Sequence, residues 1–243
     1  MTAPQQPKIT PAEWALTSSQ RGRLYGWFSA LYAEEVPETM FKRYFAEGPF
    51  EPFVGLTELG LADEVGRLDA AVKSLRDITL ARLELAADFA QLFLLDARAG
   101  ALPYASAYEG EGSTATFYSA TETRMREFLA SRALAIQPDF REPADHLAVL
   151  LAVLAHFAEQ QSGAQDMGAA ARDQAALLRA GLLDWLPRFT ERCQEVKPRF
   201  DFYPALATLV LAFARADLLF LDDIAEDAPS ITCASAPAGE SAA

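Results

Sequence analysis

Cysteine and histidine are scarce in this 243-residue chain, at two each. Cys193 and Cys233 are too few for a disulfide scaffold, which points to a reducing compartment, the cytoplasm. Neither has a thiol or imidazole nearby in sequence, so a zinc cluster is not expected. His146 and His156 stand ten positions apart. On one helix that is about 15 Å and a rotation of about 280°, so they cannot share an ion there. The Glu-x-x-His repeat of carboxylate di-metal bundles is missing too. Bases are few, 21 against 34 acids for a net charge of −13. Phosphate backbones are held by clustered Lys and Arg, so nucleic acid is not an expected partner, whereas a cationic one suits this charge. The longest uncharged apolar stretches, Leu147–Phe157 and Phe202–Ala214, fall short of the roughly 18–20 residues of a membrane span. They read as buried helices, and no membrane insertion is expected. The start, MTAPQQPKIT, has no apolar segment of the signal-peptide kind.

Alternation of period two and internal repeats are also absent, and helical spacing takes their place. Residues 1–9 read as a disordered arm. Thr10-Pro11-Ala12-Glu13 then has the pattern of a capping box with proline at the first helical position. Leu24, Trp27, Phe28, Leu31 and Tyr32 follow at i, i+3, i+4, i+7 and i+8, an amphipathic helix ending near Glu35. Pro37 opens a short helix through Phe45, and Gly48-Pro49 with Pro52 read as a turn. Ala62–Asp96 suggests two consecutive helices. On the second, Leu85, Phe89, Leu92 and Phe93 form an apolar stripe with Glu84 and Asp88 at its border. Helix resumes from Ser113 or Thr121. The proline-flanked segment 137–143 reads as a hinge, followed by helices over Ala144–Glu159, Ala169–Val196 (broken or kinked at Pro187) and Tyr203–Leu221. The fold class is therefore all-α, a bundle of about eight to nine helices. It divides into an N-terminal helical subdomain at 10–136 and a C-terminal one at 144–221, with a disordered acidic tail at 222–243, which holds five acids and no base.

No catalytic constellation is legible. Gly110-Glu111-Gly112-Ser113 matches neither a nucleophile elbow nor a phosphate-binding loop, and reads as a turn. Nucleotide binding thus has no motif behind it, and no cofactor is expected. Glu142-Pro143-Ala144-Asp145-His146 is open to two readings. One is helix-start chemistry, with Pro143 setting φ, Glu142 and Asp145 at the positive helix end and His146 in the first turn. The other is exposed carboxylates at a hinge that receive a cationic ligand. Tyr104 and Tyr108 read as aromatics pinning a loop to the core, or as part of a binding surface.

These runs resemble a known family. Asp88-Phe89-Ala90-Gln91-Leu92-Phe93, Pro103-Tyr104-Ala105-Ser106-Ala107-Tyr108 and Glu142-Pro143-Ala144-Asp145-His146-Leu147 occur in the order of the TorD-type redox-enzyme maturation chaperones, which include DmsD- and NarJ-like members. Leu24-Tyr25-Gly26-Trp27-Phe28-Ser29 and Phe202-Tyr203-Pro204-Ala205-Leu206 look most like the TorD branch. The resemblance covers about residues 15–221 and implies an all-α, cytoplasmic, non-enzymatic chaperone. Its implied partner is the twin-arginine precursor of a molybdoenzyme of trimethylamine N-oxide or dimethyl sulfoxide reductase type, held until the client receives its molybdenum cofactor. It carries a signal-peptide role onto Asp145, His146, Leu92 and Phe93. One departure stands out. The family's Y-E-S-V-Y run appears as Tyr104 to Tyr108 without its acid, which leaves Glu109 or Glu111 to supply charge nearby.

The residues support that expectation independently. A twin-arginine peptide presents two guanidinium groups and then an apolar stretch, and its receptor should offer carboxylates beside an apolar groove. Asp88, Phe89, Leu92 and Phe93 with Glu142, Asp145, His146, Tyr104 and Tyr108 are the expected client-binding set. The alternatives are a helical module for a small apolar ligand and a less specific interaction domain. The hinge also admits a monomer or a dimer with exchanged C-terminal helices.

Overall fold

Thr10 opens the first helix as its sequence predicts. Its hydroxyl accepts from the Glu13 amide at 3.2 Å, while the Glu13 carboxylate takes the Thr10 amide at 2.8 Å, so two otherwise orphaned donors are met. The computed structural model describes residues 9–45, 51–109 and 119–227. The readings made for residues 1–8, for Gly48-Pro49, for the Gly110–Ser113 turn with Glu111, and for the chain beyond 227 lie outside them. Among the described residues there are ten α-helical stretches and no strand, the expected all-α class. They are α1 (Pro11–Ala33), α2 (Glu38–Phe45), α3 (Glu51–Glu58), α4 (Ala62–Arg76), α5 (Ala81–Phe89), α6 (Ala120–Ser131), α7 (Leu147–Gln160), α8 (Met167–Leu177), α9 (Leu186–Val196) and α10 (Phe202–Asp227). Wider π turns continue α5 over Ala90–Leu94 and α8 over Leu178–Leu183, and Ala105–Tyr108 is a single 3-10 turn.

Several boundaries differ from expectation for visible reasons. Pro52 sits inside the first turn of α3, where its missing N–H costs nothing. At the other end α10 runs six residues past 221, into the expected acidic tail. The extension is held by burial, since Leu221 and Ile224 pack with Trp14, Ala171 and Ala175 in a small second core.

The packing centre is α1 laid along α7, with α10 against α4, α8 and α9. Gly22 permits the first contact. A Cβ there would lie 2.8 Å from the Glu159 side chain and 3.3 Å from the Ala155 carbonyl. α1 and α10 are also tied by a buried cluster in which the Arg21 Nη2 and the Tyr25 hydroxyl donate to Asp217 Oδ2 at 2.9 and 2.7 Å. The stretch Phe202–Glu226 is long and apolar enough to cross a bilayer, but Leu206, Leu209, Val210 and Phe213 are spent on the core.

Residues 137–143 do form a loop, yet the core shows no seam there. One cluster includes Tyr25, Phe28, Leu85, Phe93, Leu147 and Phe213, from both sides of the loop. The N-terminal helices are packed across that loop: α1 lies mainly against α7, and α4 against α10 as well as against its own neighbours α2 and α3.

Candidate functional site

Two loops distant in sequence meet at one corner of the bundle. The Leu147 amide donates to the Pro103 carbonyl at 2.8 Å, and the Ala105 amide to the Asp145 carbonyl at 3.1 Å. An isolated antiparallel bridge pairs Tyr104 with His146. Side chains reinforce the seam. The Tyr104 hydroxyl donates to Glu142 Oε2 at 2.7 Å, and the Ser106 amide to Asp145 Oδ2 at 2.9 Å. Burial, together with the Glu142 carboxylate, holds the Tyr104 phenol above its ordinary range. Five of the expected residues, Tyr104, Tyr108, Glu142, Asp145 and His146, are thus brought together.

Asp145 is the chemically unfinished member. It is 1% exposed. Its Oδ2 is occupied, but its buried Oδ1 has no hydrogen-bond partner among the described residues. A buried acceptor left unpaired costs about 1–3 kcal/mol, more when charged, so such a group calls for a ligand or a role. Asp145 lines a cavity of about 650 Å³ bounded by the 105–109 turn, α6, and the stretch Asp173–Arg188. Tyr108 stacks on Trp185 at 5.7 Å and forms an aromatic wall. Four acids (Glu109, Asp145, Asp173, Asp184) and three arginines (Arg124, Arg132, Arg188) surround the space. Arg124 is paired with Glu109 at 3.1 Å, and Arg132 grips Asp173 through two bonds of 2.8 Å. Glu109 therefore supplies an acid beside the family run, but its charge is already engaged by Arg124.

His146 takes part in helix-start chemistry, as the cap and not within the first turn. It is the N-cap of α7, with Nδ1 accepting from the Ala148 amide at 3.0 Å. α7 begins after it, so Pro143 and Asp145 lie outside the helix and serve the loop seam instead. Edge-on contacts with Tyr104 and Phe140, at 5.1 and 5.4 Å, enclose the ring. Burial pushes its pKa down to about 3, which makes it a neutral structural acceptor.

The apolar stripe with its acidic border also needs correction, because in the folded chain it is core and not groove. Leu92 and Phe93 are 0% and 2% exposed, and Phe89 is buried with them. Phe93 packs against Tyr32, Phe189 and Tyr203. Asp88 accepts the Arg199 and Phe200 amides at 2.9 and 2.8 Å, pinning the α9–α10 turn. Burial raises its carboxyl above the usual range, those amides oppose the rise, and the Glu84 charge adds to it. Glu84 itself pairs with Arg199 at 2.6 Å. Helical spacing identified one apolar face correctly but could not say that α9 and α10 would cover it.

Sequence reasoning missed Trp185, Asp184 and Arg188. The available signal was Gly181 within an otherwise helical pattern a few residues before Pro187, where the π turn Leu178–Leu183 forms; π turns are frequent at functional sites. Among the described residues no three His, Cys, Asp or Glu side chains are grouped to hold a metal. Cys193 is fully buried and its thiol pKa is raised by that burial, while Cys233 lies outside the described residues.

Comparison with known proteins adds the following. Residues 59–191 match the family described as nitrate reductase delta subunit. The chain is 36% identical over 220 residues to the chaperone protein TorD of Psychrobacter sp. strain PRwf-1, covering 88% of this chain and 97% of that one. It is 36% identical over 219 residues to the TorD chaperone of Vibrio cholerae serotype O1 strain O395, covering 88% and 98%. The corresponding Pasteurella multocida protein is 34% identical over 199 residues, covering 82% and 95%.

Proposed function

Since this chain belongs to the nitrate reductase delta subunit family of TorD-type redox-enzyme maturation chaperones, which are not enzymes, we propose that it binds the twin-arginine leader of one molybdoenzyme precursor. In this reading it acts in the cytoplasm and holds the apo-enzyme until the molybdenum cofactor is in place. The client is a reductase of the trimethylamine N-oxide or dimethyl sulfoxide type. The cofactor belongs to that client.

The observation that carries the leader-binding reading is the unpaired Oδ1 of Asp145 in the wall of a cavity. A guanidinium entering there completes the carboxylate's hydrogen bonding with a charge-assisted bond. Asp184 lines the same space without an ion pair among the described residues and is available to a second cation. Tyr108, half-buried in the cavity wall, offers an aromatic surface on which a guanidinium stacks. Exposed ion pairs contribute only about 0–1 kcal/mol each. Affinity beyond that comes from the apolar part of the leader, at about 25 cal/mol per Å² removed from water before ordering costs. Seven charged side chains around the cavity disfavour a small apolar ligand.

Calorimetric titration of a twin-arginine leader peptide into wild-type protein and Asp145→Asn tests this. Asparagine keeps an oxygen for the Ser106 amide and puts an uncharged NH2 in place of the unpaired Oδ1. Affinity should fall about tenfold or more, the equivalent of one charged hydrogen bond. Unaltered affinity removes Asp145 from the site.

A further inference from the structure

A second cleft, of about 580 Å³, lies on the other side of α6. Leu129 of that helix lines it, whereas Phe128 and Arg132 line the Asp145 cavity. Its floor is apolar, built from Val149, Ala152 and Val153 of α7 with Ile136 and Phe140 of the loop. Ala152 is exposed although it sits in the most apolar helix of the bundle. Val149 and Val153 beside it are buried, so on this face of α7 the fold leaves Ala152 open to the cleft.

The rim of the cleft carries one sign of charge. Glu34 and Asp139 stand there exposed, and no Lys or Arg lines the cleft. Neither acid has an ion pair or hydrogen bond among the described residues. This contrasts with the Asp145 cavity, where two of the acids are already neutralised by arginine.

One wall also offers main chain. After α6 the chain reverses through Ala133, whose φ of 54° is left-handed, and the Leu134 amide returns to the Leu129 carbonyl at 2.9 Å. Residues 134–137 then run as neither helix nor turn. The amides of Ala135, Ile136 and Gln137 make no backbone hydrogen bond among the described residues. Pro138 biases Gln137 toward extended geometry. A non-helical wall with unpaired amides beside an apolar floor can take a peptide added as a strand, its main chain giving affinity and alternate side chains giving selectivity.

We propose that this cleft binds an extended segment of unfolded polypeptide, apolar at alternate positions and flanked by lysine or arginine, which pairs its backbone with residues 135–137. It is a docking site separate from the Asp145 cavity. It rests on the chaperone reading only for the statement that the segment belongs to a client.

The test uses the full chain and fluorescence anisotropy of a labelled eight-residue peptide that alternates leucine and serine between terminal lysines. A glutamate-ended counterpart and a version N-methylated at alternate amides are the comparisons. Ala152→Trp should fill the floor and reduce binding at least tenfold, with Ala152→Ser as the conservative control. The pair Glu34→Gln with Asp139→Asn, both exposed and without structural partners, should weaken the lysine-ended peptide about fivefold, the scale of two solvent-exposed ion pairs. The glutamate-ended peptide should bind at least fivefold more weakly than the lysine-ended one, and N-methylation should cost about tenfold. Equal binding by Ala152→Trp and wild type in correctly folded protein overturns the proposal. Indifference to N-methylation overturns the extended pairing and points to a helical occupant. A concentration-dependent dimer abolished by Ala152→Trp overturns it in favour of a second copy of this chain. The twin-arginine leader serves as the separate control. If it fails to bind while the lysine-ended peptide binds, the leader reading fails and the cleft stands; with the reverse result the cleft alone falls.

Discussion

His146 allows a clean separation of structural from binding roles through pH. Its ring is buried, so protonation is disfavoured in the fold, where its pKa is about 3, but not in the unfolded chain, where it is about 6.5. The sign follows from proton counting. Below pH 6.5 the unfolded state takes up a proton that the native state refuses, so stability falls as pH falls, by up to about 1.4 kcal/mol per pH unit. From pH 7 to pH 5 that amounts to about 2 kcal/mol, or roughly 4–8 °C in melting temperature for a chain of this size. His146→Asn is the informative change. Asparagine is a preferred N-cap and can offer its oxygen to the Ala148 amide, but it does not titrate. Losing the ring contacts with Tyr104 and Phe140 should cost about 1 kcal/mol at pH 7. The variant therefore starts less stable than wild type and should equal or overtake it near pH 5. The substitution leaves every carboxylate in place, so their contribution cancels in the difference between the two proteins. Thermal melts followed by circular dichroism at pH 7, 6 and 5 measure it. Parallel curves for the two proteins would refute the burial argument. Loss of leader binding by His146→Asn at pH 7, with stability retained, would return His146 to the binding surface.

Asp88→Asn should lower stability by about 1–2 kcal/mol, because two amides converge on the carboxylate and an amide side chain presents an acceptor to only one of them. Chemical denaturation measures the loss, and leader affinity at saturating folded fraction should not move. Asp217→Asn leaves the buried Arg21 guanidinium without its counter-charge, so a loss of about 3–5 kcal/mol is expected; a loss under 1 kcal/mol would show that this pair is not the tie between α1 and α10. Leader binding should weaken as salt rises from 50 to 500 mM and level off above zero. Paired charges are screened over about 10 Å at 0.1 M, but the apolar contribution is not.

Helix number and type were legible because the signals are local. The Thr10–Glu13 box and the spacing of Leu24 to Tyr32 each act within a few residues, and each appears where it was read; Pro52, read as a turn, instead sits in the first turn of α3. Asp145 and Tyr104 were also legible as neighbours of interest, through the family runs that contain them. Their roles were not. Nothing in Glu142-Pro143-Ala144-Asp145-His146 says that the Ser106 amide will occupy one oxygen of Asp145 and leave the other bare, or that aromatic rings will close over His146. Likewise Asp88 looked like a rim charge, because spacing gives its side of the helix but not the α9–α10 turn that descends on it.

From its amino acids alone this chain is destined to be helical and acidic, since those properties follow from residue type and near-neighbour spacing. Which acid stays unpaired, which apolar face remains open, and how α1 comes to lie on α7 were decided only by tertiary packing. Each depends on a partner more than a hundred residues away for α1, or about forty for Asp145. Burial, the quantity that separates a structural carboxylate from an available one, exists only after those partners have met.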